Sequence, residues 1–233
     1  MATVVVALGG SLLRPENEQL NTWLEDLVGV IQERSSAGEN IALVVGGGAP
    51  ARDSINLARP VINNVFHLDK IGIAATRLNA TIIREAMSDS GILPTGEVPR
   101  SIESALECLE NESVVIMGGT VPGHTTDAVA IRLAIVAKAE KCIIATDVDK
   151  VYSEDPRANP NAKSFDSLSL SQLQEIVGPP EHSKAGVSQV VDPVGVDDAL
   201  RNSLPLDILD GRNVENIRLS LEGKTFNGTT VRV

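Results

Sequence analysis

Three glycine-bearing stretches, Gly9-Gly10-Ser11, Gly46-Gly47-Gly48 and Gly118-Gly119-Thr120, each follow a short apolar run (residues 3–8, 41–45 and 114–117). A fourth run, residues 142–145, ends in Thr146-Asp147-Val148-Asp149. Runs of this length, rich in Val and Ile, read as strands. In a parallel sheet their ends fall along one edge, where ligands bind. Glycine lets the main chain approach a ligand closely, and several such turns on one edge expose N–H groups that suit an anion carrying several phosphates. Neither of the first two stretches has the spaced glycine and Lys-Ser/Thr of a Walker loop, or the spacing of a dinucleotide fingerprint.

Other side chains gather around these turns. Arg52 lies one helical turn beyond the triple glycine, so its guanidinium can reach back and hold the same anion bidentately, or stand solvated on its helix. The most specific string runs from Met117 to Ala128, Met-Gly-Gly-Thr-Val-Pro-Gly-His-Thr-Thr-Asp-Ala. It leaves a strand and enters an Ala-rich helix. Thr126 can cap that helix, leaving main-chain N–H groups for an anion or a base carbonyl. Asp127 falls in the first turn, where an acid complements the helix dipole or acts on a bound group. His124 is either a general base or a loop histidine bonded to the main chain. After the fourth strand, Asp147, Asp149 and Asp155 can bind a metal or a ribose, and Tyr152, the single tyrosine, can stack on a base. Taken alone, that segment also reads as a capped turn.

The elements that must position these groups alternate between strand and helix. Helical spacing marks residues 17–36, where Leu20, Trp23, Leu24, Leu27, Val30 and Ile31 share a face. Further helices are expected over 51–61, 71–90, 101–110, 126–139, 170–177, 193–202 and 214–222. Residues 205–209 read as a strand, and residues 228–233 as a closing edge strand. Residues 151–169, with Asp155-Pro156 and Asn159-Pro160, read mostly as loop. The pattern predicts an α/β chain with a doubly wound, largely parallel sheet covered on both faces. No linker divides it, so residues 1–233 are expected to form one domain with two functional lobes.

Composition narrows the function. The 233 residues carry a formal net charge of −11 and no basic stripe, which argues against a nucleic-acid partner. Any phosphate site must be locally positive within a negative protein. No run of eighteen apolar residues offers a membrane span, and no basic stretch precedes an apolar one at the N-terminus, so a cytoplasmic enzyme is expected. Aromatics are few, three Phe, one Tyr and one Trp, so Val, Ile, Leu and Ala must fill the core. Cys108 and Cys142 lack metal-ligand spacing and read as small hydrophobes.

Together these stretches resemble the amino acid kinase superfamily and, within it, the archaeal-type UMP kinases. The resemblance covers nearly the whole chain. It is carried by Gly9-Gly10-Ser11, residues 45–48 with Ala51-Arg52, Asp69, Ile71-Gly72-Ile73, Thr76-Arg77, Asn79-Ala80, residues 118–130, residues 146–156, Asp192-Pro193 and Asp210-Gly211. It implies a three-layer αβα sandwich with a mainly parallel, open central sheet. The activity it implies is transfer of the ATP γ-phosphoryl group to UMP, with Mg2+ accompanying ATP and no metal ligand assigned on the chain. By the same resemblance Gly9, Gly10, Gly48 and Arg52 would meet the triphosphate, and Thr146, Asp147, Tyr152 and Asp155 the adenosine. Gly47, Asp69, Thr120, Val121, Pro122, Gly123, His124, Thr125 and Thr126 would hold UMP. Residues 1–140 would form mainly the acceptor lobe and 141–233 mainly the ATP lobe, in a homohexamer. Many superfamily kinases place a lysine where this chain has Ala7, and relatives often carry lysine where it has Asp197. Lys184 is then the cation expected at the transferred phosphate, with Asp127 and Arg52 as the other catalytic groups. A kinase with another acceptor (carbamate, an amino acid or a small phosphate monoester) and a non-catalytic nucleotide-binding protein are the alternatives.

Overall fold

The apolar runs become strands because β-branched residues fit a pleated surface that is buried on both sides. The computed structural model describes residues 2–13, 20–92, 96–156, 158–159, 161–181 and 190–233. In chain order these form β1 (Thr3–Leu8), α1 (Leu20–Ser36), β2 (Asn40–Val45), α2 (Gly48–Ala58), α3 (Val65–Asp89), α4 (Ile102–Leu109), β3 (Val114–Met117), α5 (Thr126–Val136), β4 (Lys141–Thr146), β5 (Val151–Tyr152), β6 (Ser164–Phe165), β7 (Ser167–Ser169), α6 (Leu170–Val177), α7 (Pro193–Arg201), β8 (Leu206–Asp210), α8 (Val214–Leu221) and β9 (Gly228–Arg232). Seven strands make one sheet in the order β3-β2-β1-β4-β8-β9-β7. The first five are mutually parallel; β9 runs antiparallel to β8 and parallel to β7.

Alternation along β1 divides the core. Val4, Val6 and Leu8 face one layer, with Trp23, Leu27 and Ile31 of α1, Ala80, Ile83 and Met87 of α3, and Ile217 and Leu221 of α8. Val5 and Ala7 face the other, with residues of α4, α5, α6 and α7. The result is the expected three-layer αβα sandwich. Helix α5, apolar on nearly every side, lies buried against the sheet. Register brings the strand ends level, with Leu8 opposite Val45 and Ala145, and Thr146 opposite Asp210. The chain order reverses between β1 and β4, so the switch point of the sheet lies beside Gly9.

Two expectations change and a third gains detail. Residues 151–169 are mostly loop, as expected, but they also carry three short strands: β5 and β6 pair as an antiparallel ribbon and β7 joins the main sheet. Strands of two or three residues are too short to leave a periodic signal. The last strand is not an edge, since β9 lies between β8 and β7. Helix α3 starts at Val65, ahead of position 71, capped by Asn64, whose side chain accepts from the Phe66 N–H at 2.9 Å. Val65 and Phe66 are exposed and off the buried stripe, so periodicity missed this first turn. Residues 17–19 of the predicted first helix lie outside the described residues.

Candidate active site

The first two glycine turns pack on each other. A Cβ on Gly10 would fall 2.0 Å from the Gly48 nitrogen, and one on Gly48 would fall 2.0 Å from the Gly10 carbonyl oxygen. Gly48 also has a φ of +58°, which other residues seldom adopt. Main-chain contact between two strand ends therefore requires these glycines even before any ligand is considered. The turns also expose fewer amides than the glycine count suggested. The Gly9 N–H donates to Ala145, Gly46 to Leu8 and Gly119 to the Thr76 hydroxyl.

One face of α3 holds both acceptor-side turns and the loop beyond them. Asn79, 2% exposed, donates to the carbonyls of Gly46 (2.8 Å) and Gly47 (3.1 Å). Thr76 accepts from Gly119 N–H at 2.7 Å and donates to Ile73. Arg77 donates to the carbonyls of Gly119 (3.3 Å) and Thr120 (3.2 Å). Asp69, two turns earlier, accepts from the Gly123 N–H at 2.9 Å. In the sequence Thr76, Arg77 and Asn79 stood only as matching residues with no role. The available signal was their polarity: Thr76 and Asn79 interrupt a stripe that continues as Ala80, Ile83 and Met87.

The loop from Gly118 enters α5 with Thr125 as N-cap, accepting from Ala128 N–H at 3.2 Å. Thr126 was expected in that role but is the first helical residue. The cap is tied across the molecule. The Thr125 hydroxyl donates to Asp192 (2.9 Å), whose other carboxylate oxygen accepts from the Val194 and Gly195 amides at the start of α7. Gly195 makes this junction possible, since a Cβ there would meet Ile131 at 3.0 Å and the Ala128 Cα at 3.2 Å. His124 is not bonded only to the main chain: its Nε2 lies 2.9 Å from Arg132, which pairs with Asp198 at 2.7 Å.

Asp127 stands in the first turn of α5, close to Asp192. Burial, and then the charge of Asp192, push its carboxyl up to about 7. No hydrogen bond reaches that carboxylate among the described residues. A carboxylate so placed suits a cationic or proton-sharing partner.

The sequence-predicted acceptor residues converge. Gly47, Gly48, Arg52, Asp69, Val121, Pro122, Gly123, His124, Thr125 and Thr126 line one cleft of about 480 Å3, floored by Ile73 and Thr76. This is ample for a small nucleotide. Thr120 does not line the cleft; its carbonyl accepts from Arg77. Gly9 and Gly10 do not line it: Gly10 packs on Gly48, and Gly9 lies against Ala145 and Thr146 at the end of β4. Thr146, Asp147, Tyr152 and Asp155 line a separate pocket of about 200 Å3 past the end of β4, walled by Val151, Ile176 and Val177. Within it Tyr152 donates to Asp149 at 2.9 Å. At the neighbouring strand end Arg212 forks onto Asp210, at 2.8 and 2.7 Å. Lys184 lies outside the described residues.

The family model for the amino acid kinase family matches residues 2–200. Over its whole length the chain is similar to curated archaeal proteins. It is 38% identical to the uridylate kinase of Methanococcus maripaludis strain S2, over 98% of each chain. It is 39% identical to that of Methanospirillum hungatei, over 99% of this chain and 95% of the relative. The crystal structure of uridylate kinase from Archaeoglobus fulgidus superposes with a TM-score of 0.83 at 37% identity, covering 98% of this chain and 99% of that one.

Proposed function

The chain belongs to the amino acid kinase family, and from that premise we propose that it is a UMP kinase, transferring the γ-phosphoryl group of ATP to UMP and releasing ADP and UDP. The observation that carries this reading is the acceptor cleft. The loop 118–126 closes over Asp69 and Thr76 of α3, opposite Arg52 and the Gly47-Gly48 turn, in a chain this similar to uridylate kinases along its full length.

In this reading the cleft holds UMP with its phosphate toward Arg52 and its base toward residues 120–126. The pocket at Thr146, Asp147, Tyr152 and Asp155 takes the adenosine of ATP, and the triphosphate runs past Gly9, Gly10 and Gly48 toward the acceptor. A UMP phosphate oxygen attacks the γ-phosphorus in line. The new P–O bond forms as the β–γ bridge breaks, and ADP leaves with the bridging electrons. No covalent help from the protein is needed; placement and charge neutralisation suffice. Arg52 supplies fixed positive charge. Uracil presents an acceptor where cytosine presents a donor, so an N–H or threonine hydroxyl from the loop selects uracil. The donor set also fits Mg2+. Asp127 and Asp192 repel each other, and a cation near Asp127 relieves that repulsion. Mg2+ accompanying ATP would neutralise phosphate charge; Asp127 is the carboxylate that would orient it. Lys184 is retained as the further cation at the transferred phosphate.

The two-lobe division, residues 1–140 for UMP and 141–233 for ATP, follows the same reading. A homohexamer in the cytoplasm completes it. Association is supported by an apolar strip on α2 and α3, where Leu57 is 84% exposed, Leu78 57% and Phe66 50%. The cytoplasm fits Cys108 and Cys142, which are not joined in a disulfide. The test is ADP release with UMP, CMP, dUMP, carbamate and amino acids as acceptors. Release that depends on UMP and is far slower with CMP is expected. Release with another acceptor and none with UMP overturns the reading.

A further inference from the structure

We propose that Asn79, which touches neither nucleotide in the reading above, is a positioning residue for phosphoryl transfer. Its single side-chain amide sets the direction of two consecutive main-chain N–H groups, those of Gly47 and Gly48. The inference rests on the UMP kinase reading and adds to it what aims the phosphate-binding turn.

The argument starts from the planar trans peptide, in which C=O and N–H point in opposite directions. No cis peptide is present among the described residues. The carbonyls of Gly46 and Gly47 both point at Asn79 Nδ2, at 2.8 and 3.1 Å. The N–H groups of the same two peptide units, carried by Gly47 and Gly48, must therefore point away from α3, toward the strand-end side where Gly10 lies. Among the described residues neither amide donates to another main-chain group. Three of the neighbouring positions offer no competing donor. Gly46 N–H is bound to Leu8, Pro50 has none, and Ala51 N–H is bound to Gly47. Gly47 belongs to the acceptor cleft and Gly48 faces Gly10 on the ATP side, so the pair spans the point where the phosphoryl group passes.

Glycine makes this constraint necessary. Three glycines in a row hold no preferred φ and ψ of their own. Without Asn79 the Gly46 peptide plane loses the tie on its carbonyl and the Gly47 plane keeps only the bond from the Ala51 N–H; rotation of either turns an N–H out of the cleft. Asn79 is suited to the task because it is buried and sits on a 25-residue helix whose next turns, at Ala80, Ile83 and Met87, are locked in the core. Its two amide protons serve two acceptors at once. Aspartate has the same shape but turns an acceptor toward both carbonyls, so it should release the turn or drive it away.

The test compares Asn79→Asp and Asn79→Ala with Ile83→Ala, a control on the same buried face that lowers stability without touching the glycine turn. Steady-state kinetics with ATP and UMP are measured well below each variant's melting temperature. We expect kcat to fall about 30- to 100-fold for both Asn79 variants, somewhat less than the outright loss of an aligned donor because the amides are misaimed and not removed, with KM for each nucleotide within about 3-fold, since base and ribose contacts do not pass through Asn79. Ile83→Ala should keep kcat within about 3-fold. A kcat for Asn79→Asp within about 3-fold of the parent, or a loss no larger than that of Ile83→Ala, overturns the role. If the Asn79 variants do not fold, the unaltered chain decides. The amide resonances of Gly47 and Gly48 should shift and gain exchange protection on adding UMP with a non-hydrolysable ATP analogue; unmoved amides overturn the inference. Failure of the parent reading is seen separately, as an unaltered chain that releases no ADP with UMP, and the Asn79 role falls with it.

Discussion

The acceptor cleft and the donor pocket are built in different ways. In the acceptor cleft one long helix reaches out with Asp69, Thr76, Arg77 and Asn79, and most of the contacts run from side chain to main chain. Around the donor pocket, beside the Thr229 hydroxyl that accepts from the Val151 N–H, three ties run between side chains: Tyr152 to Asp149, Lys150 to Asp166 and Arg212 to Asp210. Those residues stand at strand ends or on the two-residue strands β5 and β6, and Arg212 is largely exposed. Bonds from a buried helix to glycine main chain fix direction, because the groups they hold have no other means of orientation. Exposed pairs between side chains are weak and screened by salt. The acceptor side is therefore preorganised and the donor side adjustable. Substitutions should cost turnover on the first and mainly ATP affinity on the second.

Asp127, in the first turn of α5 beside Asp192, carries the largest expected effect. Asp127→Asn should lower kcat about 100- to 1,000-fold while leaving UMP affinity nearly intact; equal losses in both would place it in simple binding. The same change has a stability signature. The Asp127 carboxyl titrates at about 7 in the folded chain and at about 3.9 when unfolded. Between those values the folded chain holds a proton that the unfolded chain has lost, so this contribution to stability is present below about pH 4 and lost as pH rises to about 7. An asparagine side chain cannot ionise, so Asp127→Asn should melt a few degrees higher than the parent at pH 8 and show no such gain at pH 4. A variant both slower and more stable at pH 8 would identify a strained functional carboxylate. Thermal melts at the two pH values decide.

Arg52→Ala comes next. The side chain is exposed on α2 and holds no core contact, so folding should be unaffected while kcat/KM for UMP falls about 100-fold. An unchanged kcat/KM would remove Arg52 from the phosphate site. A smaller effect should appear far from the site, where stability alone is at stake. Asp207 is fully buried between Lys141, Ser220 and Arg232. Burial alone would raise its carboxyl, but the hydrogen bonds from Lys141 and Ser220 outweigh it and hold the carboxyl below its ordinary value. Arg232→Ala should cost about 1 kcal/mol, because half of that side chain is exposed, and should leave kcat unchanged; urea denaturation measures it. Tyr152→Phe should have the least effect, a rise in KM for ATP of about 3- to 10-fold from one lost hydrogen bond, with no change in KM for UMP. A Tyr152→Phe loss in kcat as large as that of Arg52→Ala would erase the contrast between the two sides.

Much of this was legible in the residues. Five parallel strands and their level ends follow from apolar runs closed by Gly or Asp, and the string from Gly118 to Asp127 marks the acceptor side. Asp69 was found by resemblance alone, since one acid on a helix carries no pattern. Two kinds of information were not local. The role of Asn79 exists only because β2 and α3 meet, 32 and 33 residues apart in sequence. The short strands β5, β6 and β7 are held by partners elsewhere, as when Thr229 of β9 accepts the Val151 N–H at 2.9 Å and Thr230 N–H reaches Asp166. The glycines told a mixed story. Their presence signalled close approach, but at Gly10 and Gly48 the approaching group is the other turn.

The measurement that bears most directly on the central claim is a crystal structure of the chain with UMP and a non-hydrolysable ATP analogue. The account predicts UMP in the cleft between Arg52 and residues 120–126, the adenine beside Tyr152, and the two phosphate chains meeting at Gly47 and Gly48. UMP found beside Tyr152, or a cleft that stays empty while both nucleotides bind elsewhere, would contradict it.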